Sequence, residues 1–234
     1  MSLNKIRKTL KEFEDKKQAR ELQRFFKTGP GEYGEGDVFL GIKVPVLRNI
    51  AKKYKGISLP DIEKLLHSPI HEERFLSLVL LIQAYARSNE KEQKKLYEFY
   101  LENTAYINNW DLVDTSSRQI IGEFLRDKSK KPLYSLAQSK SLWERRIAII
   151  ATFYFINQNC FDESLKIAKM LLTDKEDLIH KAVGWMLREI GKRDLQTEEI
   201  FLREHYTKMP RVMLRYAIEK FPEAKRKKYL KGEI

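Results

Sequence analysis

A tryptophan and an aspartate stand one helical turn apart in the stretch INNWDLVDTSSR, residues 107–118. Residues four apart lie on the same helix face, so the Trp110 ring and the Asp114 carboxylate would be neighbours. Arg118 follows on that face and could simply pair with Asp114, which would contribute at most about 0.5 kcal/mol. Alternatively, an ionised carboxylate beside an aromatic ring on a positive surface could stabilise a cationic reaction centre. The spacing alone leaves both interpretations open.

A second stretch places a tryptophan between two cations. In a predicted helix over residues 176–190, Lys181, Trp185 and Arg188 fall on a face that is separate from the apolar stripe. Cations can contact phosphates and rings can contact bases or sugars, so this face is typical of nucleic-acid binding. Packing of the tryptophan against a neighbouring helix is the alternative.

A single arginine lies within a segment that is otherwise apolar on most sides. Arg146 stands between Trp143 and Ile150 in the predicted helix over residues 141–157. A charge in such surroundings needs a partner. That partner could be an acid of an adjacent helix, or it could be a phosphate held by the fork of the guanidinium group.

The elements that would position these residues all follow the period of a helix. The segment over residues 75–82 is apolar almost all round, so we expect a helix at the centre of the fold there. Pro45 and Ser58 are suited to helix starts. Only residues 37–42, DVFLGI, have strand character, and they are too short to build a sheet. Further helices are predicted over residues 3–26, 90–102, 109–126, 130–138, 141–157, 161–172, 176–190, 194–206, 211–220 and 222–231.

These helices and their short connections predict an all-α fold. We expect an α-solenoid of HEAT-like antiparallel helix pairs that forms a concave basic surface, because consecutive helix pairs with tight turns stack in this way. A compact helical bundle is the alternative. Without a convincing linker, residues 1–234 are predicted to form a single domain.

Composition favours a polyanionic partner. The 234 residues include 45 basic and 33 acidic side chains, which gives a net charge of +12. Such a charge suits nucleic acid or an anionic membrane, although a soluble protein can also simply be basic. Cys160 is the only cysteine and no apolar run is long enough to span a bilayer. We therefore expect a cytoplasmic protein without a membrane-spanning helix.

Two weak motifs are interpreted as structural. GPGEYG at residues 29–34 matches a dinucleotide-binding pattern, but it follows a helix where that pattern requires a strand, and Glu32 would repel phosphates. His67 and His71 are four residues apart, but Pro69 between them breaks the helix face that a zinc pair needs. No metal and no cofactor are predicted.

Several segments together resemble the AlkD-like family of DNA alkylation repair glycosylases, which have HEAT-like repeats. They occur in the family's order and span most of the chain, and FFKTGPGEYGEGD at residues 25–37 resembles a loop of a subgroup. The segments are FLGIKVP at residues 39–45, NWDLVD at 109–114, LWERRIAII at 142–150 and KAVGWMLRE at 181–189.

The resemblance implies which residues act on the substrate. The family's catalytic aspartate corresponds to Asp114, its accompanying tryptophan to Trp110 and its active-site arginine to Arg146. Its second tryptophan corresponds to Trp185, and Arg188 matches a basic residue that contacts DNA. These residues are expected to meet in one cationic cleft.

The implied reaction is hydrolysis of the N-glycosidic bond of N3- or N7-alkylated purines in duplex DNA, without a strand-cleaving lyase step. The enzyme would be a monomer. Two alternatives remain: a non-catalytic solenoid that binds DNA or structured RNA by shape and charge, and a scaffold that binds another protein.

Overall fold

The structure is a computed structural model that describes residues 3–234, and it is built from helices joined by short turns. The described β pairing is limited to one isolated bridge between Val38 and Ile70. The predicted all-α class is confirmed. None of the described helices is long and apolar enough to cross a membrane. The chain divides into two compact units, with the boundary between Ser116 and Ser117.

The first unit contains six helices and most of a seventh. Pro45 lies in the first turn of the third helix, and the Ser58 hydroxyl accepts the Asp61 N–H at the start of the fourth, so both predicted helix starts are confirmed. The helices are α1 Leu3–Glu12, α2 Lys16–Phe25, α3 Val44–Lys53, α4 Leu59–Leu66, α5 His71–Tyr85, α6 Glu90–Glu102 and α7 Trp110–Ser117, with a 3₁₀ turn at Thr104–Tyr106.

The predicted first helix over residues 3–26 is wrong, because it consists of two helices. The chain breaks after α1, and the Asp15 carboxylate accepts the N–H groups of Lys17 and Gln18 at 2.9 and 3.0 Å. This cap starts α2 as a separate helix. The Asp15 N–H in turn donates to the Leu40 carbonyl at 2.9 Å, which ties the break to the 37–42 segment.

Helix α5 forms the centre of the first unit, as its apolar sequence predicted. Its residues from Phe75 to Leu81 are all buried, and α3 and α4 pack against it. The first turn is also buried although it is polar, with His71, Glu72, Glu73 and Arg74 each 6% exposed or less. Buried charges need partners, so this turn must be bonded to other segments.

The second unit begins with a π-helical turn, Arg118–Gly122, so the helix predicted over residues 109–126 is not a continuous α-helix. The helix predicted over 141–157 is also divided, at Thr152, whose hydroxyl donates to the Ile149 carbonyl at 2.7 Å. The helices are α8 Lys131–Ala137, α9 Leu142–Ala151, α10 Phe153–Ile156, α11 Asp162–Met170, α12 Asp177–Gly191, α13 Leu195–His205, α14 Arg211–Ala217 and α15 Glu223–Lys231, with a 3₁₀ turn at Ile218–Lys220.

Helix α12 is the centre of the second unit and packs against α9, α13 and α14. Its contact with α14 is close at Gly184, where a Cβ atom would lie 2.4 Å from the Met213 carbonyl oxygen. Consecutive helices pack together in both units, as α4 does with α5 and α8 with α9. This pairing is consistent with HEAT-like repeats. The single domain and the concave basic surface stay predictions.

Candidate functional site

Helix α7 carries the tryptophan and the aspartate at its start. Asn109 is fully buried, and its side-chain oxygen accepts the Trp110 N–H at 2.8 Å. Leu112 and Val113 are fully buried in the core. Their burial fixes the rotation of the helix, and it leaves Trp110 and Asp114 half-buried one turn apart.

The Trp110 ring lies at the end of a column of stacked rings. Its centroid is 5.2 Å from that of Phe26, and the two planes differ by 19°. Phe26 stacks on Phe39 at 5.2 Å, and Phe39 stacks on the His71 imidazole at 4.5 Å. The plane of the tryptophan is therefore set by three rings from the end of α2, the 37–42 segment and α5.

A buried charge cluster continues from this column. His71 Nδ1 lies 3.0 Å from Asp37 Oδ2, and His71 Nε2 lies 2.8 Å from Asp111 Oδ2. The Arg74 guanidinium forms an ion pair with the same Asp37 oxygen. With a carboxylate at each ring nitrogen, both nitrogens donate and the imidazole is a cation. Two cations then balance two anions.

The electrostatics of the cluster agree with that assignment. Burial would lower the pKa of His71, but the charge of Asp111 and the hydrogen bonds to Asp111 and Asp37 outweigh it and raise the pKa to about 9. Burial would raise the pKa of Asp37, but the hydrogen bond with His71 and the charge of Arg74 lower it. The cluster therefore stays charged at neutral pH and joins α5 to the start of α7.

The other two residues of the α5 first turn fix neighbouring segments. The Glu72 carboxylate accepts the N–H groups of Leu40, Gly41 and Ile42 at 3.0, 2.8 and 3.2 Å. Glu73 forms an ion pair with Arg7 of α1 at 3.0 Å. The segment that carries Phe39, and with it the ring column below Trp110, is thus held by a buried carboxylate.

The glycine-rich stretch at residues 29–34 is a loop after α2, as predicted. The Gly29 N–H donates to Glu32 Oε2 and the Gly31 N–H donates to Glu35 Oε2, both at 2.8 Å. Carboxylates of the loop itself therefore occupy the N–H groups that a phosphate would need.

The two histidines of the rejected zinc motif have separate partners. His67 Nε2 lies 2.6 Å from Asn103 Oδ1, and its ring stacks on Tyr106 at 3.8 Å. His71 belongs to the charge cluster with Asp37. Among the described residues, no three His, Cys, Asp or Glu side chains are grouped so that they could hold a metal ion.

In the second unit, Trp185 is half-buried in a group of rings and charges. Its Nε1 donates to Glu189 Oε1 at 3.1 Å, and its ring contacts the Phe153 ring edge-to-face at 5.7 Å. Arg118 and Arg193 lie 5.3 and 5.9 Å from the Phe153 ring centre. Contacts of this kind are attractive and hold guanidinium groups beside the rings.

The three cations predicted in this unit have different surroundings. Arg146 is 5% exposed and donates to the Leu178 carbonyl at the start of α12. Arg188 forms an ion pair with Glu219, and Lys181 pairs with Asp177 at 2.6 Å. An anionic ligand would have to compete with these carboxylates for Arg188 and Lys181.

The structure thus places Trp110 and Asp114 together on α7, and Lys181, Trp185 and Arg188 together on α12. That both groups and Arg146 meet in one cleft stays a prediction. Sequence reasoning missed the residues that position the predicted ones. These are Phe26, Phe39, Asp37, His71 and Asp111 in the first unit and Phe153 and Glu189 in the second.

Comparison with known proteins gives one family. Residues 6–221 match the sequence profile of the DNA alkylation repair enzymes. A search of curated protein sequences gives no significant match.

Solved structures of similar fold are themselves distant in sequence. A protein of Enterococcus faecalis described as a predicted DNA alkylation repair enzyme superposes with a TM-score of 0.69 at 19% identity, over 90% of this chain and 97% of that one. AlkD2 of Streptococcus mutans gives 0.56 at 20% identity, over 89% and 99%. The smu.31 protein of Streptococcus mutans UA159 gives 0.55 at 18% identity, over 94% and 99%. These likenesses show the fold alone.

Proposed function

The chain belongs to the DNA alkylation repair enzyme family, and from this we propose that it is a monofunctional DNA glycosylase. It hydrolyses the N-glycosidic bond of cationic N3- or N7-alkylated purines in duplex DNA. The observation that carries the proposal is the arrangement on α7. There Trp110 and Asp114 stand one turn apart, half-buried, with the tryptophan ring held from below by Phe26.

The chemistry of the lesion explains why one carboxylate is sufficient. Alkylation at N3 or N7 gives the purine a positive charge, so the base leaves without the proton that a sugar glycosidase must supply from a second carboxylic acid. As the bond breaks, positive charge develops on the deoxyribose. The Asp114 carboxylate stabilises this charge and orients or deprotonates the attacking water.

The aromatic ring would act on the same cation. A ring face within about 6 Å of a cation contributes roughly 0.5–2 kcal/mol, depending on how dry the contact is. The stacked Phe26 keeps the Trp110 plane from rotating, so the ring can meet the sugar or the charged base without first being ordered. We assign DNA contact in the second unit to Trp185, Arg146, Arg188 and Lys181.

The test is the identity of the products. Purified protein is incubated with duplex DNA that contains N7-methylguanine, and the released base is separated by chromatography while the strand is followed on a denaturing gel. We expect free N7-methylguanine and an abasic strand that stays intact until alkali is added. Undamaged duplex is the control and should release no base.

A different result would identify the alternative. If the protein binds the damaged duplex but releases no base, the glycosylase assignment is wrong and a non-catalytic DNA-binding solenoid is favoured. A strand cut without alkali would show a lyase step and would contradict the monofunctional reaction.

A further inference from the structure

Phe25 is an exposed ring in contact with Trp110. Its side chain is 62% exposed, the highest value for a large apolar residue in the described part of the chain. Its ring centroid is 5.9 Å from that of Trp110, and the planes meet at 74°. Its sequence neighbour Phe26 is 7% exposed and stacks under the tryptophan. The two phenylalanines therefore differ in role, since one supports Trp110 and the other stands beside it in solvent.

The end of α2 holds Phe25 in this position. The Lys27 N–H donates to the Arg24 carbonyl and the Thr28 N–H to the Gln23 carbonyl, at 3.3 and 3.2 Å. These two bonds form a Schellman motif, and Lys27 takes the left-handed conformation that the motif requires, with φ at 52°. A left-handed lysine costs about 1 kcal/mol relative to glycine. The exposed ring is thus fixed by a defined helix end.

The helix that carries the exposed ring is strongly positive. Residues 16–27 contain five cations against one acid, Glu21. None of the five pairs with a carboxylate among the described residues, and α2 buries no side chain fully. The cations are Lys16, Lys17, Arg20, Arg24 and Lys27.

We propose that Phe25 and Trp110 form a two-ring platform that takes a nucleobase unstacked from DNA, while Arg24 and Lys27 beside it contact the adjacent phosphates. Aromatic rings flanked by cations bind nucleic acid in this way, because every base has a face that can stack. The choice of DNA rests on the proposed function.

The charge pattern disfavours two other occupants. Protein–protein interfaces are depleted of lysine, whereas Lys16, Lys17 and Lys27 lie on this helix or at its end. A membrane-surface helix needs an apolar face that is free to enter the lipid. At the end of α2, Phe26 packs on Phe39 at 5.2 Å, so Phe25 is the one large apolar side chain there that is free to enter lipid.

The experiment measures binding to two short fluorescein-labelled duplexes by anisotropy at one salt concentration. One duplex is intact, and the other carries a tetrahydrofuran abasic analogue that leaves one base without a pairing partner. We expect Phe25→Ala to weaken binding to the abasic duplex by about 5- to 100-fold, the loss expected for one stacked base, with less than about twofold change on the intact duplex. Phe25→Trp should keep the parent affinity.

Phe13→Ala is the matched control, since Phe13 is 45% exposed and has no ring contact with Trp110. It should bind both duplexes as the parent does. Because Phe25 is exposed, its alanine variant should unfold at the parent temperature. Three results would overturn the proposal. Phe25→Ala would lose affinity equally for both duplexes, or it would lose affinity for neither. In the third case it would lose binding to anionic phospholipid vesicles and keep its binding to DNA.

The result is separable from that of the glycosylase test. If the parent releases no base but Phe25→Ala loses affinity for the abasic duplex alone, the platform stands and the proposed reaction is wrong. If the parent releases base and Phe25→Ala binds the abasic duplex normally, the reaction stands and the platform is wrong.

Discussion

Asp111 and Asp114 belong to the same short motif, and we propose different tasks for them. Asp111 is bonded to the buried His71 imidazole at 2.8 Å, so it holds the start of α7 against α5. Asp114 stands one turn after Trp110 and is half-buried. A carboxylate bonded in a buried cluster is a positioning residue, whereas the action of Asp114 on the substrate stays a proposal.

The charge state of His71 predicts a pH dependence of stability. Its pKa is raised from 6.5 to about 9 in the folded protein. The stabilisation is therefore fully present below pH 6.5 and is lost as the pH rises through about 9. A shift of this size corresponds to at most ~3 kcal/mol of unfolding free energy. Urea unfolding of the parent and of His71→Gln between pH 6 and 10 tests this, and the difference between the two should shrink over that range.

The parent must be compared with His71→Gln because a second buried group, Glu198, also changes its charge in this pH range. Burial, followed by the charge of Glu199, raises the pKa of Glu198 to about 8. The parent thus loses stability with rising pH from two sources. The Glu198 contribution is common to both proteins and cancels in the difference. A difference between parent and His71→Gln that does not change with pH would contradict a charged imidazole.

At the scale of the element, Lys27 at the end of α2 has both a strained left-handed backbone and a positive charge. Replacing the left-handed Lys27, with φ at 52°, by glycine should raise the unfolding free energy by about 1 kcal/mol. The same change removes a cation and should weaken DNA binding. Lys27→Ala is the control, because it loses the cation but keeps the strain. Equal stability of the glycine and alanine variants would show that the left-handed conformation is not strained.

In the 37–42 segment, the backbone of Gly41 lies close to the backbone of Asp15. Gly41 has φ at 86°, and a Cβ there would lie 2.1 Å from the Asp15 carbonyl oxygen. Gly41→Ala should lower the unfolding free energy by about 3 kcal/mol, because both backbone strain and a clash with backbone are introduced. Gly56→Ala is the matched control, since φ is 84° there but no atom lies within 4 Å. Similar losses in both variants would mean that the contact with Asp15 is unimportant.

Helix positions were predictable from the sequence, whereas helix breaks were less so. The apolar period located α5 and α12, and Pro45 and Ser58 located two starts. The break between α1 and α2 was missed because Leu10 and Phe13 continue the helical period. The cap that causes it is Asp15. In a chain with 33% charged residues, one more acid does not stand out as a cap.

The candidate site was predictable only in part. The motif on α7 is local, so spacing predicted that Trp110 and Asp114 share a helix face, whereas their proposed roles came from the family resemblance. The charge cluster below it joins residues 34 and 40 positions apart, Asp37 with His71 and His71 with Asp111. The polar run HEER at 71–74 would be expected on a solvated face, and only the fold around α5 shows that it is buried.

At the scale of the whole molecule, the net charge of +12 predicts how binding responds to salt. Each phosphate that a basic side chain neutralises contributes about −0.9 to the slope of log K against log salt concentration. If the cations of α2 contact phosphates, Arg24→Gln should make the slope shallower by about 1. Anisotropy titrations of duplex DNA over a salt series measure both slopes. A protein-binding scaffold would show a slope near zero.

The role of Asp114 is tested most directly by the single-turnover rate of N7-methylguanine release from duplex DNA in excess enzyme. Asp114→Asn keeps the size of the side chain and removes its charge, and we expect the rate to fall by roughly 100-fold or more while DNA binding is retained. Asp127→Asn, at a surface carboxylate that is 74% exposed, should release base at the parent rate. Release by Asp114→Asn as fast as by the parent would contradict the mechanism.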